Sequence, residues 1–254
     1  MTKLTAQQYN ELLGVDDSYK APERLMSVLR NKTEREAMFM RFLEAFVGDV
    51  TYDWFTDYFQ DEHADRKKQK QDFTPKCVSE LLTALIGDTS ETDGAYYEPC
   101  AGTGGITIAR WHADRIQHSP FDYRPSWYLY TLEELSDRAI PFLLFNVMIR
   151  GMNAVIVHGD VLTRRAKAVY FVQNDKDDHM QFSSLNVLPQ SDVVANSGLY
   201  FPLIWDEGIV VEPHTESPPI GELGFVINPS KRGEKSAETL LVEALFGGKK
   251  EVTA

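Results

Sequence analysis

The residues best equipped for ligand chemistry lie in one run, Tyr97-Glu98-Pro99-Cys100-Ala101-Gly102-Thr103-Gly104-Gly105. An acid that closes a strand-like stretch and breaks into Gly-x-Gly-Gly lets backbone approach a ligand closely, because glycine has no Cβ and takes up positive φ freely. A helix expected directly after the bend would aim its N-terminal amides at the same place. Dinucleotide enzymes carry G-x-G-x-x-G, with the third glycine for helix–strand packing. Thr107 stands at that third position here, which weakens a nicotinamide or flavin reading. The acid ahead of the bend suits a ligand with a cationic or amino end better than a pyrophosphate.

The elements that must hold this run follow from periodicity. Residues 1 to about 60 read as helices. Thr33-Glu34-Arg35-Glu36 fits a capping box, and Phe39, Phe42, Leu43 and Phe46 follow at the spacing of one buried helical face, stopped by Gly48. Trp54, Phe55, Tyr58 and Phe59 keep helical spacing and read as an aromatic core rather than a ligand cage. The polar stretch from Asp65 to Asp72 holds the densest basic cluster in the chain, solvated surface or a phosphate contact. From Phe73 the texture changes. Thr74 can cap a helix with Pro75 at its first turn, carrying Val78, Leu81, Leu82, Leu85 and Ile86 to Gly87. Strands are expected at 95–98, 127–131 and 154–158, with helices after the glycine bend and over about 136–150. Strands alternating with such helices argue for an α/β protein with a parallel sheet. Beyond Leu162 the pattern weakens: strands are expected near 169–172 and 192–195, a hairpin around Asp206-Glu207-Gly208, and a last helix carrying Leu240, Leu241, Ala244 and Leu245.

From about Asp72 to Leu162, and more weakly to Phe201, the chain resembles the adenine-specific amino-methyltransferases of DNA, in particular the methylase subunits of type I restriction–modification systems and their short phage or mobile-element relatives. Phe73-Thr74-Pro75 is similar to the family's F-T-P segment, which lies over the methionine part of S-adenosylmethionine. The run Glu98 to Gly105 resembles the D-P-A-C-G-T-G-G loop, with Glu for Asp and Cys-Ala inverted. Thr131 to Ser136 resembles the second-strand segment whose acid holds the ribose hydroxyls, and Glu134 is chosen over Glu133. His158-Gly159-Asp160 resembles the turn whose Asp meets the adenine amine. The resemblance implies a Rossmann-like doubly wound sheet with an N-terminal helical segment, divided as residues 1–71, 72–212 and 213–254. It implies S-adenosylmethionine as cofactor, held by Phe73, Thr74, Pro75, Glu98, Pro99, Cys100, Ala101, Gly102, Thr103, Gly104, Gly105, Glu134 and Asp160. Physical chemistry agrees independently. A carboxylate after the second strand of such a sheet accepts two hydrogen bonds from a ribose diol, although Glu134 lies farther beyond the bend than the roughly 20 residues usual in dinucleotide folds.

The family's catalytic signature, an Asn or Asp followed by Pro-Pro and an aromatic, is missing. Its logic is that the Asn oxygen and a proline carbonyl accept from the target amine while the aromatic stacks on the flipped base. The best candidate is the stretch from Asp192 to Phe201, where Asn196 would accept and Tyr200 or Phe201 would stack. Ser197 and Gly198 stand where the prolines belong. Asn228-Pro229-Ser230 is a poorer echo farther on.

Composition bounds the function. The net charge of −12 opposes phosphate binding by the surface as a whole, so contact with DNA would be weak unaided and would need a local basic patch or a partner. The resemblance implies such a partner, a specificity subunit that reads the sequence. Cys77 and Cys100 form no C-x-x-C pair, the six histidines have no metal-site spacing, and no apolar stretch approaches the roughly 18 residues of a membrane span. Met1-Thr2-Lys3-Leu4 opens no signal peptide, and a soluble cytoplasmic protein is expected. Three functions remain open: a DNA adenine methyltransferase; an inactive homologue acting as an interaction or anti-defence protein on a restriction–modification or other host defence complex; and a methyltransferase of RNA or small molecules.

Overall fold

Runs of strand length, the first three separated by helices, build a six-stranded sheet. Its strands are β1 (Ala95–Glu98), β2 (Leu129–Glu134), β3 (Ala154–Asp160), β4 (Arg165–Gln173), β5 (Ser184–Val187) and β6 (Ile204–Trp205). The computed structural model describes residues 4–59, 74, 76–86, 94–197 and 202–217. The basic cluster of 65–72, Phe73, Pro75, Tyr200, Phe201, Asn228 and the expected C-terminal helix lie outside the described residues.

The chain divides into two compact units, and the division is not linear. One comprises Met1–Asp88, Ala101–Tyr123 and Ser136–Arg150; the other comprises Thr89–Cys100, Arg124–Leu135 and Gly151–Ala254.

The first unit is helical: α1 (Ala6–Leu13), α2 (Ala21–Leu29), α3 (Lys32–Ala45), α4 (Lys76–Ile86), α5 (Gly105–Ile116) and α6 (Ile140–Ile149). The cap of α3 is Asn31, not Thr33: the Asn31 side chain accepts from the Glu34 amide, and Thr33 falls inside the helix. Asn is the stronger cap, so the start moves upstream. Gly48 ends the turn after α3 with φ +70 and its N–H on the Leu43 carbonyl at 2.7 Å. The expected aromatic core forms. Phe39, Phe42, Phe46, Trp54, Phe55, Tyr58 and Phe59 are buried, and Phe145 of α6 meets Phe39 edge-on at 4.8 Å. Every residue of α6 is buried, as a helix apolar on all sides should be. It begins at Ile140 rather than Ser136, with a proline in its first turn. The described inner face of α4 is polar. Ser79 and Thr83 are buried, whereas Val78, Leu81 and Leu82 are exposed. Small polar side chains suit the inner face because Thr83 donates to the Ser79 carbonyl and Ser79 lies against Gly105 at the start of α5.

The second unit is the sheet, in the order β1-β2-β3-β4-β5. β1, β2 and β3 are mutually parallel; β4 runs antiparallel to β3 and β5 antiparallel to β4. This is a mixed α/β protein whose first three strands are parallel. A doubly wound sheet would add a strand on the far side of β1, and none is found there among the described residues. Three local expectations are corrected. The strand expected from Trp127 starts at Leu129, because Pro125–Trp127 forms a 3-10 turn with the Ser126 amide on Asp177. Asp192–Ala195, expected as a strand, is a short helix, α7, because the Ser191 hydroxyl caps it by accepting from the Val194 amide. The expected hairpin around Asp206-Glu207-Gly208 does not form; Ile204 and Trp205 pair in parallel with Arg165 and Ala166 of β4. Val194 and Ala195 of α7 pack with Leu129, Val155, Val157, Val169 and Phe171 on one face of the sheet. No helix among the described residues is long and apolar enough to cross a membrane.

Candidate functional site

Three acids stand at the carboxyl ends of three neighbouring parallel strands: Glu98 on β1, Glu134 on β2 and Asp160 on β3. Register fixes their sides. Glu98 lies opposite Leu132 and Glu134 opposite His158, two residues before Asp160. Side chains alternate with a period of two, so Glu98 and Glu134 belong to one face of the sheet and Glu133 to the other.

That alternation puts two adjacent acids on opposite faces. Glu133 is 1% exposed; its carboxylate accepts from the Tyr97 hydroxyl at 3.0 Å and from Arg164 Nη1 at 3.0 and 2.7 Å. Burial, then the hydrogen bond and charge of Glu133, pushes the Tyr97 phenol up to about 12. Glu133 thus belongs to a buried cluster on one face, while Glu134, also buried, lies on the face of Glu98. The Tyr96 hydroxyl donates to Glu98 Oε2 at 3.1 Å. Asp160 is part of its own turn. Its Oδ1 accepts from the Leu162 amide and its Oδ2 from the Thr163 hydroxyl, each at 2.9 Å, and these bonds hold its pKa below the usual carboxylate range. A carboxylate offers about four acceptor positions, so these two bonds leave acceptor capacity.

Cys100 reports the charge of this edge. Burial raises its thiol pKa, and the negative charges of Glu134, Glu98, Glu133 and Asp160 raise it further, in that order. Such a thiol is a poor nucleophile at neutral pH. The neighbourhood favours a ligand bearing positive charge.

After Cys100 the chain enters the glycine bend, which belongs to the helical unit. Gly102 has φ +58 and Gly104 φ +97, and the Gly104 amide donates to the Ala101 carbonyl at 2.8 Å. Gly104 caps α5, with the Ile108 amide on its carbonyl at 2.8 Å. A Cβ on Gly104 would stand 3.0 Å from Leu143 Cδ1, so both conformation and space call for glycine there. Between the two glycines, Thr103 is buried and held at both ends. Its hydroxyl donates to Asp53 Oδ2, and its carbonyl accepts from Asn146 Nδ2 at 2.7 Å. The same Asn146 Nδ2 reaches Asp53 Oδ1 at 2.8 Å. Asp53 and Arg164 were missed by sequence reasoning. Asp53 sits in an aromatic stretch that reads as core, and Arg164 in a turn, so neither carries a local signal.

Asn196, the candidate amine acceptor, lies at the C-cap of α7 instead of at a strand end. Its Nδ2 donates to the Asp192 carbonyl at 2.7 Å, and the residue is exposed. Tyr200, its expected aromatic neighbour, lies outside the described residues, as do Phe73 and Pro75; Thr74 is half-buried.

Fold and site together define a mixed α/β protein with a glycine bend after its first strand and acids at its parallel strand ends. The sequence model of a family described as N-6 DNA Methylase matches residues 44–196. The chain belongs to that family. No curated protein matches it.

Proposed function

We propose that this protein is an S-adenosylmethionine-dependent methyltransferase acting on the exocyclic amine of adenine in DNA, with a partner that supplies sequence recognition. The observation that carries the reading is the placement of Glu98, Glu134 and Asp160 at the carboxyl ends of adjacent parallel strands, where ligands of open α/β sheets bind. The donor set fits the cofactor. Glu134 would accept hydrogen bonds from the ribose hydroxyls, Asp160 from the adenine amine, and Glu98 would face the cationic end. When bound, the cofactor supplies an electrophilic methyl group. Asn196 would accept a hydrogen bond from the target amine through Oδ1, the acceptor of its side-chain amide, while its Nδ2 donates to the Asp192 carbonyl. Adenine must leave the duplex stack to reach such a group.

A second reading has specific support. The prolines that stiffen the catalytic turn are replaced by Ser197 and Gly198, and the net charge is −12. These features favour an inactive homologue that binds a restriction–modification or other defence complex. The two readings separate in a transfer assay with labelled S-adenosylmethionine and unmodified DNA, run alone and with a candidate specificity subunit. Transfer to adenine that Asn196→Ala abolishes supports the enzyme. Binding of cofactor without transfer in any combination supports the inactive homologue.

A further inference from the structure

We propose that Asp53 is a positioning residue for the glycine bend, the loop that the family resemblance assigns to the cofactor. The proposal rests on the cofactor reading above and deepens it.

The bend has little shape of its own. Gly102 and Gly104 flank Thr103 with φ of +58 and +97, and glycine backbone occupies many other conformations at similar energy. What fixes the bend is Thr103, and Thr103 is fixed by Asp53 and Asn146. The Asp53 carboxylate receives four donors. On Oδ1 are the Phe55 amide at 2.9 Å and Asn146 Nδ2 at 2.8 Å. On Oδ2 are the Thr56 hydroxyl at 2.8 Å and the Thr103 hydroxyl. Asn146 is oriented in turn by Arg150, whose Nη1 donates to Asn146 Oδ1 at 2.9 Å and to the Asn146 carbonyl at 2.8 Å. The remaining donors of Arg150 hold the carbonyls of Val50 at 2.8 Å and Tyr52 at 2.7 Å. Its guanidinium also lies over the Trp54 ring, 5.3 Å from the centroid. The bonds close a circuit. Arg150 holds the chain leading into Asp53, Asp53 holds Thr103, and Asn146 ties both to Arg150. Burying so many polar groups is tolerable only because each finds a partner, and a network satisfied in this way is rigid. Rigidity at Thr103 pre-forms the bend and spares a ligand the cost of ordering it.

The test uses the full chain. S-adenosylmethionine affinity is measured by calorimetry, and hydrogen exchange at the amides of 102–105 is measured without ligand. Asp53→Ala is expected to raise the Kd about tenfold, what one lost charge-assisted hydrogen bond is worth, and to speed exchange in the bend. Asp53→Asn, which keeps an acceptor for Asn146 and offers its amide to the Thr103 oxygen, is expected to recover most of both. Lys20→Ala removes an exposed ion pair with Asp16 and leaves every bond to Asp53 and Thr103 in place, and its Kd is expected to match the unaltered protein. Should Asp53→Ala fail to fold, Thr103→Val breaks the same bond from the loop side and is expected to raise the Kd and speed exchange. If the unaltered protein binds and the folded variants bind equally well, the positioning role is overturned while the cofactor reading stands. If the unaltered protein takes up no S-adenosylmethionine, the cofactor reading itself falls, and this proposal with it.

Discussion

The guanidinium of Arg164 closes on the Glu133 carboxylate at 2.7 Å, in a cluster where Glu133 is 1% exposed and Arg164 16%. This pair explains how two adjacent acids on one strand come to do different work. Glu133 is neutralised on the face that packs with α7, which leaves Glu134 on the face of Glu98.

Removing Arg164 therefore has a structural cost. Arg164→Met leaves a buried carboxylate with only the Tyr97 hydroxyl and is expected to destabilise the fold by about 3 kcal/mol, near the lower end for breaking a buried ion pair. Denaturant unfolding measures it. Adding Glu133→Gln to Arg164→Met should recover much of the loss, because the uncompensated charge is then gone. A single variant as stable as the unaltered protein would contradict this role.

The two last glycines of the bend should respond differently. Gly104 needs its φ of +97, and a Cβ there approaches Leu143 at 3.0 Å, so Gly104→Ala is expected to cost about 1–2 kcal/mol and to weaken cofactor binding. Gly105 has no positive φ, and its added Cβ would meet Ser79 Oγ at an ordinary 3.9 Å. Gly105→Ala should stay within about 0.5 kcal/mol of the unaltered protein, since alanine is the better helix former. Thermal unfolding of the two variants side by side decides it.

The Cys100 thiol offers a pH readout of the acidic edge. Burial comes first and the charge of Glu134 next in raising its pKa. The neutral thiol is favoured, so its thiolate fraction at pH 7 lies below that of a free thiol. In a Cys77→Ser background, alkylation of Cys100 should accelerate only at more alkaline pH than for an ordinary thiol. Glu134→Gln should move that midpoint back down. An unchanged midpoint would show that the charge of Glu134 does not act on Cys100.

Much of the frame is legible in the sequence, and what is not has a physical reason. β1, β2 and β3 show as apolar runs because both their faces are largely covered, and the aromatic core shows because Phe39, Phe42 and Phe46 repeat at helical spacing. α7 misleads. Val193 and Val194 look like strand, and one hydroxyl at Ser191 is enough to cap a turn of helix instead. On α4 the small Ser79 fits against Gly105, a contact that no spacing in the sequence announces. The bond from Thr103 to Asp53 spans 50 residues, and no local pattern announces a contact made only by tertiary structure. Glu134 is chosen over Glu133 from the sequence, but only the strand register shows that the two lie on opposite faces.

The most direct test of the account is calorimetric titration of S-adenosylmethionine into the unaltered protein, Glu134→Ala and Asp160→Ala. Saturable binding to the unaltered chain, with affinity lowered about tenfold or more in each variant, is the expected result. No measurable heat with the unaltered protein, or equal affinity in all three, would contradict the assignment of these strand ends as the cofactor site.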